Sequence, residues 1–175
     1  EKLLVPLLVK LSNLVPEGGI WLNTQRPEWN DANNALAGWG LSMVTVYHMR
    51  RYLAFCRDLF AREADGSLSF TPAVADLLQD LTEVLEEAAE YVEHGFDDEG
   101  RFRFMQQAGR AGEAHRAAVY EGAFGPAREV ARDDVLRLLD AALTMTEATI
   151  RANRTGSLLY HSYNTLDLST PGAAS

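Results

Sequence analysis

The sequence of 175 residues has only one cysteine, Cys56. It therefore cannot form an internal disulfide, and no Cys and His spacing along the chain suggests a zinc site. Cys56 falls on a long predicted helix, where we expect a small buried apolar side chain. We expect neither a metal nor a cofactor.

The chain also has no long apolar run. The longest extends from Leu3 to Leu11 and is interrupted by Pro6 and Lys10. It is much shorter than the roughly 20 residues that cross a bilayer, so we expect no membrane partner and a cytoplasmic location. The chain begins at Glu1 rather than Met. A processed or truncated N-terminus is compatible with that beginning.

Positive charge is scarce as well. The 16 Lys and Arg residues are outnumbered by 25 Asp and Glu residues, which gives a formal net charge of −9. Proteins that bind nucleic acid usually concentrate Lys and Arg on one face, so this balance argues against a nucleic-acid partner. The apolar content of 47% is ordinary for a globular protein with a core.

The dominant pattern in the chain is helical. Apolar residues recur at spacings of three and four, whereas alternating strand patterns are scarce. The sequence therefore predicts an all-α fold of antiparallel helical hairpins. Asn30 or Asp31 would cap the second helix, Thr71-Pro72 would open the third and Gly95 would close it. The predicted helices cover about 2–15, 32–63, 72–95, 103–122 and 133–153.

The three tryptophans of the chain all fall in one window of 19 residues. An indole covers the apolar face of a sugar, while amide, carboxylate and guanidinium groups bind its hydroxyls. A carboxyl group can also supply the proton that breaks a glycosidic bond. The window therefore indicates a carbohydrate site, with the candidates Trp21, Arg26, Glu28, Trp29, Asn30, Asp31 and Trp39.

The segment 154–164 also differs from the predicted helices in its residue pattern. It brings Tyr160 and His161 together in a stretch without helical periodicity, which makes both residues candidates for the same pocket. The triplet Asn153-Arg154-Thr155 fits the glycosylation sequon, although such triplets also occur by chance. By contrast, we expect His115 to occupy a solvated position on a helix.

The run Glu28-Trp29-Asn30-Asp31, followed by Gly38, Gly40 and Ser42, resembles the Asp-Trp-Asn-Asp-Gly signature of cellobiose phosphorylase-like enzymes. The resemblance implies an (α/α)₆ toroid in which Glu28 is the general acid and Asn30 and Asp31 shape the sugar site. In that family inorganic phosphate is the nucleophile. The runs 113–116 and 159–164 also resemble large uncharacterised bacterial proteins with the same six-hairpin glycosidase-like architecture.

A complete toroid of this kind needs about twelve helices, or roughly 300 residues at these helix lengths. We therefore expect residues 1–168 to form a single helical domain, as part of a larger toroid or as an independent domain of fewer hairpins, and residues 169–175 to form a disordered tail. Half a toroid leaves apolar helix faces without partners. We expect those faces to contact the remaining segments of a larger chain or a second copy.

Two classes of function stay open. In the first, the chain is carbohydrate-active, as a hydrolase or a phosphorylase, and the pKa of Glu28 is raised by burial near Trp29 or by Asp31. In the second, it is a non-catalytic helical domain that binds a carbohydrate or a protein. Asn30 and Asp31 would then only cap a helix, and Glu28 would be a surface charge.

Overall fold

The computed structural model describes residues 1–22, 36, 38–122 and 125–167. Helices occupy most of these residues. Their bounds are Val5–Leu11 (α1), Met43–Ala61 (α2), Pro72–Glu87 (α3), Ala89–His94 (α4), Asp98–Tyr120 (α5) and Arg132–Ala152 (α6).

Short strands connect these helices and form two antiparallel sheets. The first sheet has four strands in the order β1-β2-β3-β6, and the second pairs β4 with β5. The strands are Leu14–Val15 (β1), Gly19–Trp21 (β2), Gly40–Ser42 (β3), Ser67–Phe70 (β4), Arg128–Ala131 (β5) and Tyr163–Thr165 (β6).

The prediction of an all-α, toroid-like array of helical hairpins is therefore wrong: the fold is mixed, with both helices and sheets. The strands could not be recognised from alternating apolar and polar residues, because each has only two to four residues. In addition, β1 and β3 are buried at every position, so their residues do not alternate between an apolar and a polar face. The partners β3 and β6 are also far apart in the sequence.

The sheet also shortens the second predicted helix. Residues 40–42 pair with β2 and β6 instead of continuing a helix from 32. The helix α2 then begins at Met43, where the Ser42 hydroxyl accepts a hydrogen bond of 3.1 Å from the Thr45 N–H. The predicted caps Asn30 and Asp31 lie outside the described residues, as does the predicted tail 169–175.

The other helix predictions agree in part. The helix predicted over 2–15 is limited to α1, because residues 14–15 form β1, and the helix predicted over 72–95 is divided at Ala88 into α3 and α4. Pro72 is the first residue of α3, as predicted, and Gly95 ends α4 with a φ of 88°, a left-handed value that favours glycine. The helix α5 begins at Asp98, five residues before the predicted start, because the Asp97 carboxylate caps the Gly100 N–H. The predicted last helix corresponds closely to α6.

The core lies between these helices and one side of the four-stranded sheet. Ion pairs Arg50–Glu147 and Arg57–Asp140 show that α2 and α6 run antiparallel, and α3 contacts both α5 and α6. Cys56 is fully buried in this core, as predicted, and burial raises the pKa of its thiol. Within the described residues, no helix combines the length and the apolar content that crossing a bilayer requires.

A buried amide connects the C-terminal end of α6 to the sheet. The Asn153 amide nitrogen donates hydrogen bonds of 2.8 Å to the carbonyls of Glu17 and Thr149. Its carbonyl oxygen accepts a hydrogen bond of 2.7 Å from Asn164, whose amide also donates to the Gly18 carbonyl. Because Asn153 is buried and both of its N–H groups are engaged, the folded chain does not present it as a glycosylation acceptor.

Replacing two glycines on α5 by alanine should have opposite effects on stability. A Cβ at Gly112 would lie 2.5 Å from the Ser12 hydroxyl oxygen, whereas a Cβ at Gly109 would meet nothing within 4 Å. Gly112→Ala should lower the free energy of unfolding by about 1–3 kcal/mol through overpacking. Gly109→Ala should raise it by about 0.5–1 kcal/mol through helix propensity. Urea unfolding followed by circular dichroism measures both, and equal values would contradict the close packing at Gly112.

The pair Asn153 and Asn164 predicts a measurable coupling. Asn153→Ala should lower the free energy of unfolding by about 2–3 kcal/mol, because buried carbonyls lose their donors. In the double variant with Asn164→Ala, the loss should be smaller than the sum of the single losses by about 0.5–3 kcal/mol. Urea unfolding of the unchanged protein, the two single variants and the double variant completes a double-mutant cycle. Additive losses would show that the two amides do not stabilise each other.

Candidate functional site

The predicted site residues divide into two groups. Five candidates lie outside the described residues: Arg26, Glu28, Trp29, Asn30 and Asp31. The other four are described, namely Trp21, Trp39, Tyr160 and His161.

Leu22 and Gly38 lie on either side of the segment 23–37, which contains the motif, and they are hydrogen-bonded to each other. The Gly38 N–H donates to the Leu22 carbonyl at 2.7 Å, and the Leu22 N–H donates to the Gly40 carbonyl at 2.8 Å. Next to them, the Trp21 indole N–H donates to the Gly38 carbonyl at 3.1 Å. The chain therefore leaves the four-stranded sheet and returns to it at one place, beside Trp21.

A cleft of about 300 Å³ lies next to Trp21. Its walls come from three parts of the fold: β1 with the turn that precedes it, the strand β2, and one face of α5. The residues that line it are Ser12, Asn13, Leu14, Val15, Trp21, Met105, Gln106, Gly109, Arg110, Glu113 and Arg116.

The α5 wall of the cleft is polar. Gln106, Arg110, Glu113 and Arg116 follow one another at spacings of three and four, which places them on one face of the helix. All four are exposed, and Arg110, Glu113 and Arg116 form no ion pair with any other described residue. Their charged groups are therefore not neutralised by an ion pair within the described part of the chain.

Two residues give the cleft its depth and its apolar side. Gly109 has no side chain, and the space above its backbone is open. Trp21 is half-buried, and its indole N–H is already bound to the Gly38 carbonyl. The only polar atom of its side chain is therefore already paired.

Trp39 is not among the residues that line this cleft. It directly precedes β3, where its carbonyl accepts a hydrogen bond of 2.7 Å from the Leu166 N–H. Its side chain is 63% exposed. Trp39 is thus close to Trp21 through Gly38, but it belongs to a different part of the surface.

Tyr160 and His161 lie at the other edge of the sheet, where the chain enters β6 and contacts α2. The Tyr47 hydroxyl donates a hydrogen bond of 2.7 Å to the His161 carbonyl, and the rings of Tyr47 and Tyr160 meet edge to face at 5.9 Å. Burial, and then Tyr160, raises the pKa of Tyr47, so its phenol stays a donor. The His161 ring contacts the Asn164 amide at 3.2 Å. Neither residue lines the Trp21 cleft.

The polar wall of the cleft was not among the predicted site residues. Its helical spacing is visible in the sequence, but nothing in the sequence places α5 against the turn that precedes β1. His115 also differs from expectation, because it is buried and its Nδ1 lies 3.0 Å from the Ala73 carbonyl oxygen. The face of α5 that contains His115 therefore packs on α3. The residues that line the cleft lie on the other side of α5.

Compared with known proteins, the chain matches no family model and no curated protein sequence. The resemblance to cellobiose phosphorylase-like enzymes therefore stays a prediction from the motif.

Proposed function

We propose that this chain binds a carbohydrate and that the cleft beside Trp21 is the sugar site. The observation that carries the proposal is the composition of the cleft, which is lined by Trp21 and by a row of exposed polar residues on α5. An indole provides the apolar surface that the C–H face of a sugar needs. Arg110, Glu113 and the Gln106 amide supply donors and acceptors for its hydroxyls.

The size of the cleft agrees with a small saccharide. Ligand pockets in proteins measure roughly 300–1,000 Å³. The volume of about 300 Å³ lies at the lower end of that range, which favours a ligand of one or two sugar rings. A longer saccharide would extend over the exposed rim.

We propose further that Glu28 acts as the general acid on a glycosidic oxygen, with water or phosphate as the nucleophile. Support comes from the motif at 28–31 and from the anchoring of its flanking residues beside Trp21. A cytoplasmic location is part of the same proposal. If the chain binds sugar without turnover, it is instead the non-catalytic binding domain that the sequence left open.

Filling the cleft should abolish sugar binding without unfolding the chain. Gly109→Leu places a branched side chain in the open space above the helix, and we expect at least a tenfold loss of affinity. Gly109→Ala is the matched control and should retain most of the affinity. Calorimetric titration with cellobiose, maltose and N-acetylglucosamine measures the effect for whichever sugar binds.

The tryptophans provide a second comparison in the same titration. Trp21→Ala should weaken binding by about tenfold, because the stacking surface is lost. Trp39→Ala removes an indole outside the cleft and should leave the affinity unchanged. If the Trp39 variant alone lost affinity, or if Gly109→Leu bound sugar normally, the cleft would not be the sugar site.

The catalytic proposal makes a separate prediction. Glu28→Gln keeps the size of the side chain but cannot donate the proton, so turnover should fall by about 100-fold or more. Sugar affinity should change little. Release of reducing sugar, measured with and without added phosphate, follows the reaction, and Glu28→Asp is the control that keeps the acid. Unchanged turnover in Glu28→Gln would contradict the assignment.

A further inference from the structure

A short turn after α6 exposes an apolar tip. An antiparallel bridge joins Arg154 to Tyr160, and the Thr155 N–H donates to the Leu159 carbonyl at 2.8 Å. Leu158 and Leu159, at the end of this turn, are both 67% exposed. Two adjacent leucines exposed to this extent form a small apolar projection that the described residues leave uncovered.

The backbone at the tip makes leucine an unfavourable choice. Leu158 has a φ of 64°, in the left-handed region that Gly and Asn enter at the least cost. A polar Asn would suit both the backbone and the solvent better. The leucine therefore costs stability in the isolated chain, which points to a role outside its own fold.

The surroundings of the tip differ in charge from the rest of the chain. Neither residues 38–57 nor residues 148–166 contain Asp or Glu, although the whole chain has a net charge of −9. The antiparallel packing of α2 on α6 brings these two segments together.

Two carboxylates close to these segments are already paired with other arginines. Glu147 is paired with Arg50, and Glu17 is paired with Arg101. Arg151 and Arg154 are exposed, and among the described residues neither has an ion-pair partner. The tip therefore has positive neighbours in an otherwise acidic protein.

We propose that this tip, defined by Leu158, Leu159 and Tyr160, docks the chain on an anionic lipid bilayer. Aliphatic side chains enter the boundary between headgroups and acyl chains, and arginines are attracted to anionic headgroups. Tyr160 is suited to the interface, because its ring is apolar and its hydroxyl is polar. Its contact with Tyr47 fixes the tip against α2.

Two other partners fit these residues less well. A symmetric contact with a second copy would place Arg151 and Arg154 close to the same arginines of that copy. A head-to-tail contact would need apolar surface in the acidic region 83–99, where none of the described residues is an exposed large apolar one. A nucleic acid would match the charge, but the two most exposed residues of the tip are aliphatic, and its one flat ring, Tyr160, already contacts Tyr47.

Vesicle sedimentation tests the proposal. The chain should bind vesicles of phosphatidylcholine with added phosphatidylserine, bind phosphatidylcholine alone much more weakly, and lose binding as salt is raised. Leu158→Asn should reduce binding at least tenfold, since one leucine no longer enters the bilayer. Its melting temperature should stay the same or rise, because Asn suits the backbone better, so the loss is not a folding defect.

Matched controls separate the tip from general surface properties. Tyr120→Asn removes an aromatic side chain that is 86% exposed at the end of α5, and it should leave vesicle binding unchanged. Arg154→Gln should reduce binding about fivefold, whereas Arg62→Gln at the far end of α2 should not.

Three results would overturn the proposal. The first is failure to bind the phosphatidylserine vesicles, and the second is unchanged binding of Leu158→Asn. The third is a dimer, seen by analytical ultracentrifugation, that Leu158→Asn abolishes, since the tip would then be an interface between copies. Retained vesicle binding in the Gly109→Leu variant would show that this surface acts separately from the sugar cleft.

Discussion

The buried amide of Asn153 is the constraint on which the arrangement of the sheet depends. Its hydrogen bonds to Glu17, Thr149 and Asn164 join the turn before β2, the end of α6 and the strand β6. Glu17 extends the set to α5, because its carboxylate pairs with Arg101 at 2.9 Å. A side chain without both donors and an acceptor would leave buried polar groups unsatisfied, so an apolar residue at this position would destabilise the fold. The edges of the sheet are thus held in place by polar contacts as well as by the core.

How much of the fold can be read from the sequence depends on the range of the interactions. Local signals such as Pro72 and Gly95 set the start of α3 and the end of α4, and α6 is close to prediction, but the break at Ala88 between α3 and α4 was not predicted. The four-stranded sheet depends instead on pairs such as Leu41 with Asn164, which are distant in sequence and have no local signature. The same limit explains why the helix predicted over 32–63 is wrong across 40–42.

The candidate site likewise combines residues that the sequence singles out with residues that only the packing of the helices brings in. Clustering in the sequence singles out the tryptophans, and the Trp21 indole does bond to Gly38, the residue before Trp39. Only the packing of α5 decides that Trp21 lines a cleft and Trp39 does not, and that packing needs Gly112 at the contact with Ser12. Tyr160 and His161 could be recognised as unusual, but their place at the opposite edge follows from the register of β6.

The hydrogen bond between Gly38 and Leu22 has a consequence for how this chain can vary. When the two ends of a segment meet in a fixed sheet, the entropy of closing it grows only slowly with its length. A change in the number of residues between Leu22 and Gly38 would therefore cost little closure entropy as long as β2 stays paired with β3. That pairing thus fixes the two points at which the segment 23–37 begins and ends.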